Sequence, residues 1–391
     1  MARHALLNRD WKRLLIPTRK NLDSQGTKAV IKQERLKISR NIPAFTGVRG
    51  FASVWVVLFH LSQSFKGLLG LHESAPFVVT GFLGVDLFFI LSGAVLYHVH
   101  ATDFVQYSVK GHLKFLRLRL ARVYPLHAFC LLAFAAVVCI LPGFTATYHP
   151  GGFSFANFLS TLLMINNWGF STASLWNVPS WSLSAEWLGY LVFPFIVVTI
   201  GKQLRAGWEV PVSLALLAFL VAVTILLGAE DMGQSGKFGI LRMACEFTTG
   251  CILCKAAKDD TAPRTLTLIF ALGITLVCAY SLDYHWGAVF GLGLLVLSLC
   301  KEGPVADVIF GNPIALWLGN ISFSLYLSHW PLIQIYQWIR DRYAVDSNVL
   351  ALALVASILV GANLLYRFVE VPSRQYLRRK IQAKQHRELV A

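Results

Sequence analysis

Arg49 and His60 stand eleven residues apart in one apolar stretch. At about 100° per residue this offset is close to three full helical turns, so a helix carrying both projects them from one face with a rise of about 16 Å between them. A guanidinium near one end and a titratable imidazole near the other suit a reaction that reaches between two compartments. The cation can hold an anionic group, and the imidazole can take a proton as general base. The structural alternative is that Arg49 snorkels to the membrane surface and His60 hydrogen-bonds a neighbouring helix.

Arg119 and Arg122 share a helix face at i and i+3 and run into Pro125. The planar guanidinium fork bonds phosphate oxygens bidentately, and Lys110, Lys114 and Arg117 enlarge the positive field. A topology-setting charge cluster is the plainer reading of the same residues. Glu186 follows Trp181-Ser182-Leu183 at the head of another apolar run, where it can pair with an arginine or orient His60. Asp86 reads as half of a structural polar pair, and His329, between Tyr326 and Trp330, as a helix-packing imidazole. No nucleophile elbow, His-Glu-x-x-His site, phosphate loop or dinucleotide fingerprint occurs. Cys251 and Cys254 have metal-like spacing without a second Cys or His pair, and all seven cysteines lie in apolar stretches. No metal and no permanently bound cofactor is expected.

The elements that must position these side chains are membrane helices. Of the 391 residues, 56% are hydrophobic and 14% charged, against about 25% charged in a soluble domain. Runs such as Val212–Gly228, Leu266–Leu282 and Val349–Leu365 carry no charge, and about 18 apolar residues in a row suffice to span a bilayer. An ionisable group at the centre of such a helix costs roughly 2.5–3.5 kcal/mol on insertion scales, so each one needs a partner or a wet cavity.

Ten spanning helices are expected, near 46–65, 77–98, 123–142, 180–200, 210–228, 238–256, 265–282, 286–300, 314–338 and 348–369. With the N-terminus inside, twenty-eight Lys and Arg fall in the tails and loops of that side. Only Lys66, Lys237, Arg340 and Arg342 fall on the other, an asymmetry that orients the chain with both termini cytosolic. Residues 1–41 hold eleven Lys and Arg against three acids and read as a basic cytosolic tail, either touching anionic lipid or disordered without a specific function, and not as a cleaved signal. Residues 42–372 form the membrane domain, and 373–391 a second basic cytosolic tail. The external connection 143–179 contains an apolar piece, Phe153–Trp168, too short to span and read as re-entrant or surface-lying. The formal charge of +15 follows this loop placement and not an aromatic-interleaved basic face, which excludes nucleic acid as the expected partner. There is no internal repeat.

Six segments taken in order carry a resemblance: Ile42–Gly50 followed by His60; Gly84–Gly93; Arg119–Pro125; Trp181–Glu186 with Tyr190, Phe193 and Pro194; Ile321–Pro331; and Glu370-Val371-Pro372. Over roughly residues 42–372 the chain resembles the acyltransferase 3 family of membrane acyltransferases. The resemblance implies an all-α bundle of about ten transmembrane helices, acyl-CoA (acetyl-CoA, or a succinyl donor) as cytosolic donor substrate, and O-acylation of an extracytoplasmic polysaccharide or glycoconjugate. It makes His60 and Arg49 catalytic candidates, with Glu186 as orienter, and Arg119, Arg122 and Arg49 donor-site candidates. Trp187 stands where a further acid is common in the family, and Gly189 replaces a usual aromatic, which puts the acceptor subsite in question. Some relatives carry an extracytoplasmic esterase-like domain; this chain is expected to lack one and to transfer directly or through a separate protein.

The expected partners are therefore an acyl-CoA donor, a glycan or glycolipid acceptor and membrane lipid, with polysaccharide-assembly proteins as candidates. The expected location is the plasma membrane, the inner membrane if the source is bacterial. Two rivals use the same residues: a glycan or glycolipid transporter, against which stand the missing repeats and broken helices, and an inactive scaffold.

Overall fold

The computed structural model describes residues 42–64, 76–144, 150–169, 176–230, 233, 235–259, 264–280, 285–300, 303–345 and 347–390. Ile42–Ala391 form one compact unit. The basic tail expected at 1–41 lies outside the described residues.

The described residues are helical with irregular connections, and no strand occurs among them. The principal helices are α1 (Pro43–Ser64), α2 (Leu83–His100), α3 (Val109–Ile140), α4 (Phe155–Leu162), α5 (Ser180–Gln203), α6 (Glu209–Leu226), α7 (Ser235–Asp259), α8 (Arg264–Tyr280), α9 (Ala288–Leu299), α10 (Pro304–Phe310), α11 (Pro313–Tyr343), α12 (Asn348–Leu365) and α13 (Val371–Val390). Their starts carry the usual chemistry. Ser108, Ser154, Asn312 and Ser347 cap α3, α4, α11 and α12 by accepting from a backbone N–H three residues on. Pro304 and Pro313 open α10 and α11, where a missing N–H costs nothing.

Each of the ten expected spans has a helix in its described part, but among the described residues six helices are long and apolar enough to cross a membrane, or seven if the bent pair His285–Leu299 and Pro304–Phe310 counts as one. The remainder fall short for physical reasons. α7 carries Arg242, Glu246, Lys255 and Lys258, α8 has only 17 residues, and α11 interleaves its apolar residues with Ser, His, Gln and Asn. Residues 155–162 of the external connection form α4, and Phe155 and Leu163 at its two ends stay exposed.

Two parallel helix pairs make the core. Along α1 and α11 the register advances in the same direction, with Thr46 beside Gly319, His60 beside His329, and Arg340 Nη1 donating to Ser64 O at 2.8 Å. Along α2 and α7 it does the same, from Asp86 beside Arg242 to Gly93 beside Phe247 and Cys251. A methyl on Gly93 would meet the Phe247 carbonyl, and one on Gly250 the carbonyl of Ile90. Small residues let the two backbones touch, as in close-packed membrane helices. α1 and α2 run antiparallel, with Gly84 against Ala52 and Gly81 against Trp55.

The segment expected as a C-terminal tail, 373–391, is helical to Val390 and packs on α3. A π-helical turn, Tyr366–Glu370, joins α12 to α13. Pro372 follows it and has no N–H for the carbonyl one turn back, which favours the wider turn.

Candidate active site

The residues singled out in the sequence gather at two poles along α1. At the first, Arg49 has Arg122, Glu186, Glu370 and Tyr190 as its electrostatic neighbours. Arg119 shares Tyr190, Arg122 and Glu186 and adds Arg378. Arg374, on α13, faces Arg122, Glu370 and Arg378. Helices α1, α3, α5 and α13 and the π-turn thus bring five guanidiniums together with two carboxylates.

The carboxylates are held. Ser92 Oγ donates to Glu186 Oε1. Ser324 Oγ donates to Glu370 Oε2 at 2.7 Å, and Arg374 Nη1 stands 3.9 Å from its Oε1. Arg119 Nη2 donates to His100 Nε2 at 3.3 Å, and His100 Nδ1 in turn bonds Asp103 Oδ2 at 2.8 Å. Arg119 also lies over the Phe115 ring, while its Nε–H is buried without a partner among the described residues. The side chains of Arg49 and Arg122 make no hydrogen bond to a described residue. Arg49 nevertheless keeps partial solvent access between buried Val48 and Gly50. Guanidinium N–H donors at this pole are thus left over after the contacts among the described residues.

At the second pole, nearly three turns further along α1, His60 Nδ1 lies 3.1 Å from Val56 O and 3.1 Å from His329 Nε2. His329 is fully buried, and its Nδ1 lies 3.2 Å from Leu325 O. Phe59 and Trp330 present rings edge-on to His60 at centroid distances of 5.1 and 5.2 Å. Below His329, Tyr326 Oη donates to Pro179 O at 3.0 Å and lies 2.7 Å from Ser182 Oγ, which ties α11 to the head of α5.

The structure brings Arg49, Arg119, Arg122 and Glu186 together and places His60 apart from them. Glu186, expected either to pair with an arginine or to orient His60, sits among the arginines; the partner of His60 is His329. Asp86 belongs to neither pole. Arg242 Nε and Nη2 donate to its Oδ1 at 3.0 and 2.8 Å, and Nη2 reaches Oδ2 at 2.8 Å. Glu370, Arg374 and Arg378 join this pole without a role assigned from sequence, although their i, i+4 spacing puts all three on one helix face.

Comparison with known proteins adds a family match. A family model of the acyltransferase 3 type, described as an acyltransferase domain, matches residues 42–367. The chain is 22% identical to the O-acetyltransferase OatA of Staphylococcus aureus over 387 residues, covering 89% of this chain and 60% of that protein. It is 27% identical to the acyltransferase MdmB of Streptomyces mycarofaciens over 371 residues, covering 87% of this chain and 93% of that protein. The chain thus spans about three fifths of the length of OatA. No solved structure matches it.

Proposed function

The chain belongs to the acyltransferase 3 family, and from that premise we propose that it moves an acyl group, acetyl in the first instance, from cytosolic acyl-CoA to a hydroxyl of an extracytoplasmic glycan. The observation that carries this reading is the division of labour along one helix. α1 bears Arg49 among guanidiniums with unused donors, and about 16 Å further on bears His60 beside a second imidazole.

The donor's phosphates lie against Arg119 and Arg122, with Arg374 and Arg378 adding charge from α13. Five guanidiniums against two carboxylates leave an excess of positive charge that suits a polyanion and not a neutral sugar. Glu186 and Glu370 hold the arginines in place. The pantetheine arm runs along α1 past Arg49 and presents the thioester at His60. There the imidazole takes the proton of the acceptor hydroxyl as its oxygen attacks the acyl carbon. The C–S bond then breaks, and the proton passes from His60 to the departing sulfur.

In this reading the protein lies in the plasma membrane, the inner membrane of a bacterium, with ten spans and both termini cytosolic. The parallel pairs α1–α11 and α2–α7 and the antiparallel pair α1–α2 support an alternating arrangement. Reporter fusions after residues 110, 204, 258 and 380 are expected to read out in the cytosol, and those near 150, 232 and 343 on the other side. A cytosolic signal near 150 contradicts the arrangement and separates Arg119 from the donor.

Donor binding offers a second check. Hydrogen bonds to charged groups contribute about 1.5–3 kcal/mol each, so the Arg119→Ala, Arg122→Ala double variant is expected to weaken acetyl-CoA binding by roughly tenfold or more. Lysine at both positions keeps the charge and loses the fork, and is expected to fall between the two. Unchanged affinity in the double alanine variant removes these arginines from the donor site. For the reaction itself, purified protein supplied with acetyl-CoA and a glycan acceptor is expected to release free thiol in step with glycan acetylation. An intact thioester, together with movement of a labelled glycolipid across the bilayer, would mark a transporter instead.

A further inference from the structure

His329 has the closest hydrogen-bonding contact to His60 from another helix, and the geometry around both rings fixes where their hydrogens sit. A backbone carbonyl can only accept. Leu325 O, 3.2 Å from His329 Nδ1, therefore requires the hydrogen of His329 on Nδ1. A neutral imidazole has one N–H, so His329 Nε2 is a bare lone pair. That lone pair faces His60 Nδ1 at 3.1 Å, and Val56 O faces the same nitrogen at 3.1 Å. Two acceptors converge on His60 Nδ1, so it carries the hydrogen and shares it between them. The remaining nitrogen, His60 Nε2, is then the unprotonated one. The opposite assignment, with His329 Nε2 donating to a bare His60 Nδ1, would set lone pairs against both Val56 O and Leu325 O.

We propose that His329 is a positioning residue for the acyl transfer, holding His60 in the tautomer whose Nε2 is free to take the acceptor's proton. This inference rests on the functional reading above. The hydrogen bond works through the whole step. The acceptor O–H breaks and its hydrogen goes to His60 Nε2 while the new C–O bond forms. The imidazolium that results is a stronger donor at Nδ1, and His329 Nε2 is the acceptor already aimed at it. When the C–S bond breaks, the hydrogen on Nε2 goes to sulfur and both rings return to their starting tautomers. Burial serves the same end, because a fully enclosed His329 exchanges its acceptor role with no water. The parallel packing of α1 and α11 is what allows it: each ring sets its Nδ1 on its own i−4 carbonyl, and the packing brings His329 Nε2 to His60 Nδ1.

The test replaces His329 by leucine, which fills the space without an acceptor, and by glutamine, whose side-chain carbonyl can accept from His60 Nδ1. Acetyl transfer from acetyl-CoA to glycan is measured as kcat and donor KM, together with thermal stability, in wild type, both variants and each combined with His60→Ala. His329→Leu is expected to lower kcat about a hundredfold, the scale of a misoriented catalytic group, with donor KM unchanged. Glutamine is expected to restore at least tenfold of that loss. In the His60→Ala background His329→Leu is expected to add nothing, since there is no ring left to orient. Wild-type kcat in the leucine variant overturns the inference. So does an equal loss of kcat and stability in both variants, which marks a packing residue. If the wild-type protein itself performs no acetyl-CoA-dependent transfer, the functional reading fails first and takes this inference with it; an active wild type with an indifferent His329 refutes the inference alone.

Discussion

Replacing His60 by alanine is expected to lower the turnover of acyl transfer by about 10²–10⁴-fold, the usual contribution of a positioned general base. Folding and donor affinity are expected to survive. The ring's hydrogen bonds run to the i−4 carbonyl Val56 O and to His329, and its partly exposed position means that truncation leaves no sealed void. Arg49, Arg119 and Arg122 belong to the other pole and lose no contact. The informative comparison is therefore kcat against the dissociation constant of acetyl-CoA, measured on the same purified variant. Loss of donor binding in step with loss of turnover would place His60 in the donor site; full turnover would make it a packing residue.

The second large effect is on stability. Arg242 is 1% exposed and Asp86 0%, and the pair ties α2 to α7 through three hydrogen bonds. Arg242 also lies over the Trp181 ring, and Glu246, another fully buried acid, is its second acidic neighbour. Methionine at 242 removes the cation and leaves Asp86 buried without it. Breaking one side of a buried pair costs about 3–5 kcal/mol, a large share of the 5–15 kcal/mol that typically holds a native fold. Arg242→Met is expected to melt many degrees lower, or to fail to accumulate. The Asp86→Leu, Arg242→Met double variant should regain part of the loss, because no stranded charge remains on Asp86. Melting temperatures in detergent check this. A single variant as stable as wild type contradicts the structural role given to the pair.

What the sequence made legible follows from what local pattern can carry. The apolar runs located the helices, and the Arg49–His60 offset placed both residues on α1, because each is a property of one segment. Arg119 and Arg122 read as a cytosolic basic face, and Glu186 as an acid that can pair with an arginine; that they meet Arg49 is a tertiary fact. Asp86 read as one half of a polar pair, yet its partner Arg242 is 156 residues away, and no periodicity links two positions across that gap. The contact of His329 with His60 is hidden for the same reason: it exists only because α11 runs parallel to α1. The residues after Pro372 lack an apolar period and read locally as a tail. Their docking on α3 comes from tertiary contact, although the i, i+4 spacing of Glu370, Arg374 and Arg378 was there to be read. The count of spans was the least legible feature, since charged α7 and short α8 look alike by pattern whether they cross a bilayer or lie within a bundle.

The proposed transfer runs across the bilayer, from a donor on one side to an acceptor on the other. The most direct measurement places purified protein in sealed vesicles of known orientation, with glycan acceptor trapped inside and acetyl-labelled acetyl-CoA added on the cytosolic face. Labelled glycan is expected in the lumen, formed without acetyl-CoA entering the vesicle and absent with His60→Ala. Label that stays outside while the wild-type protein is folded and binds the donor would contradict it.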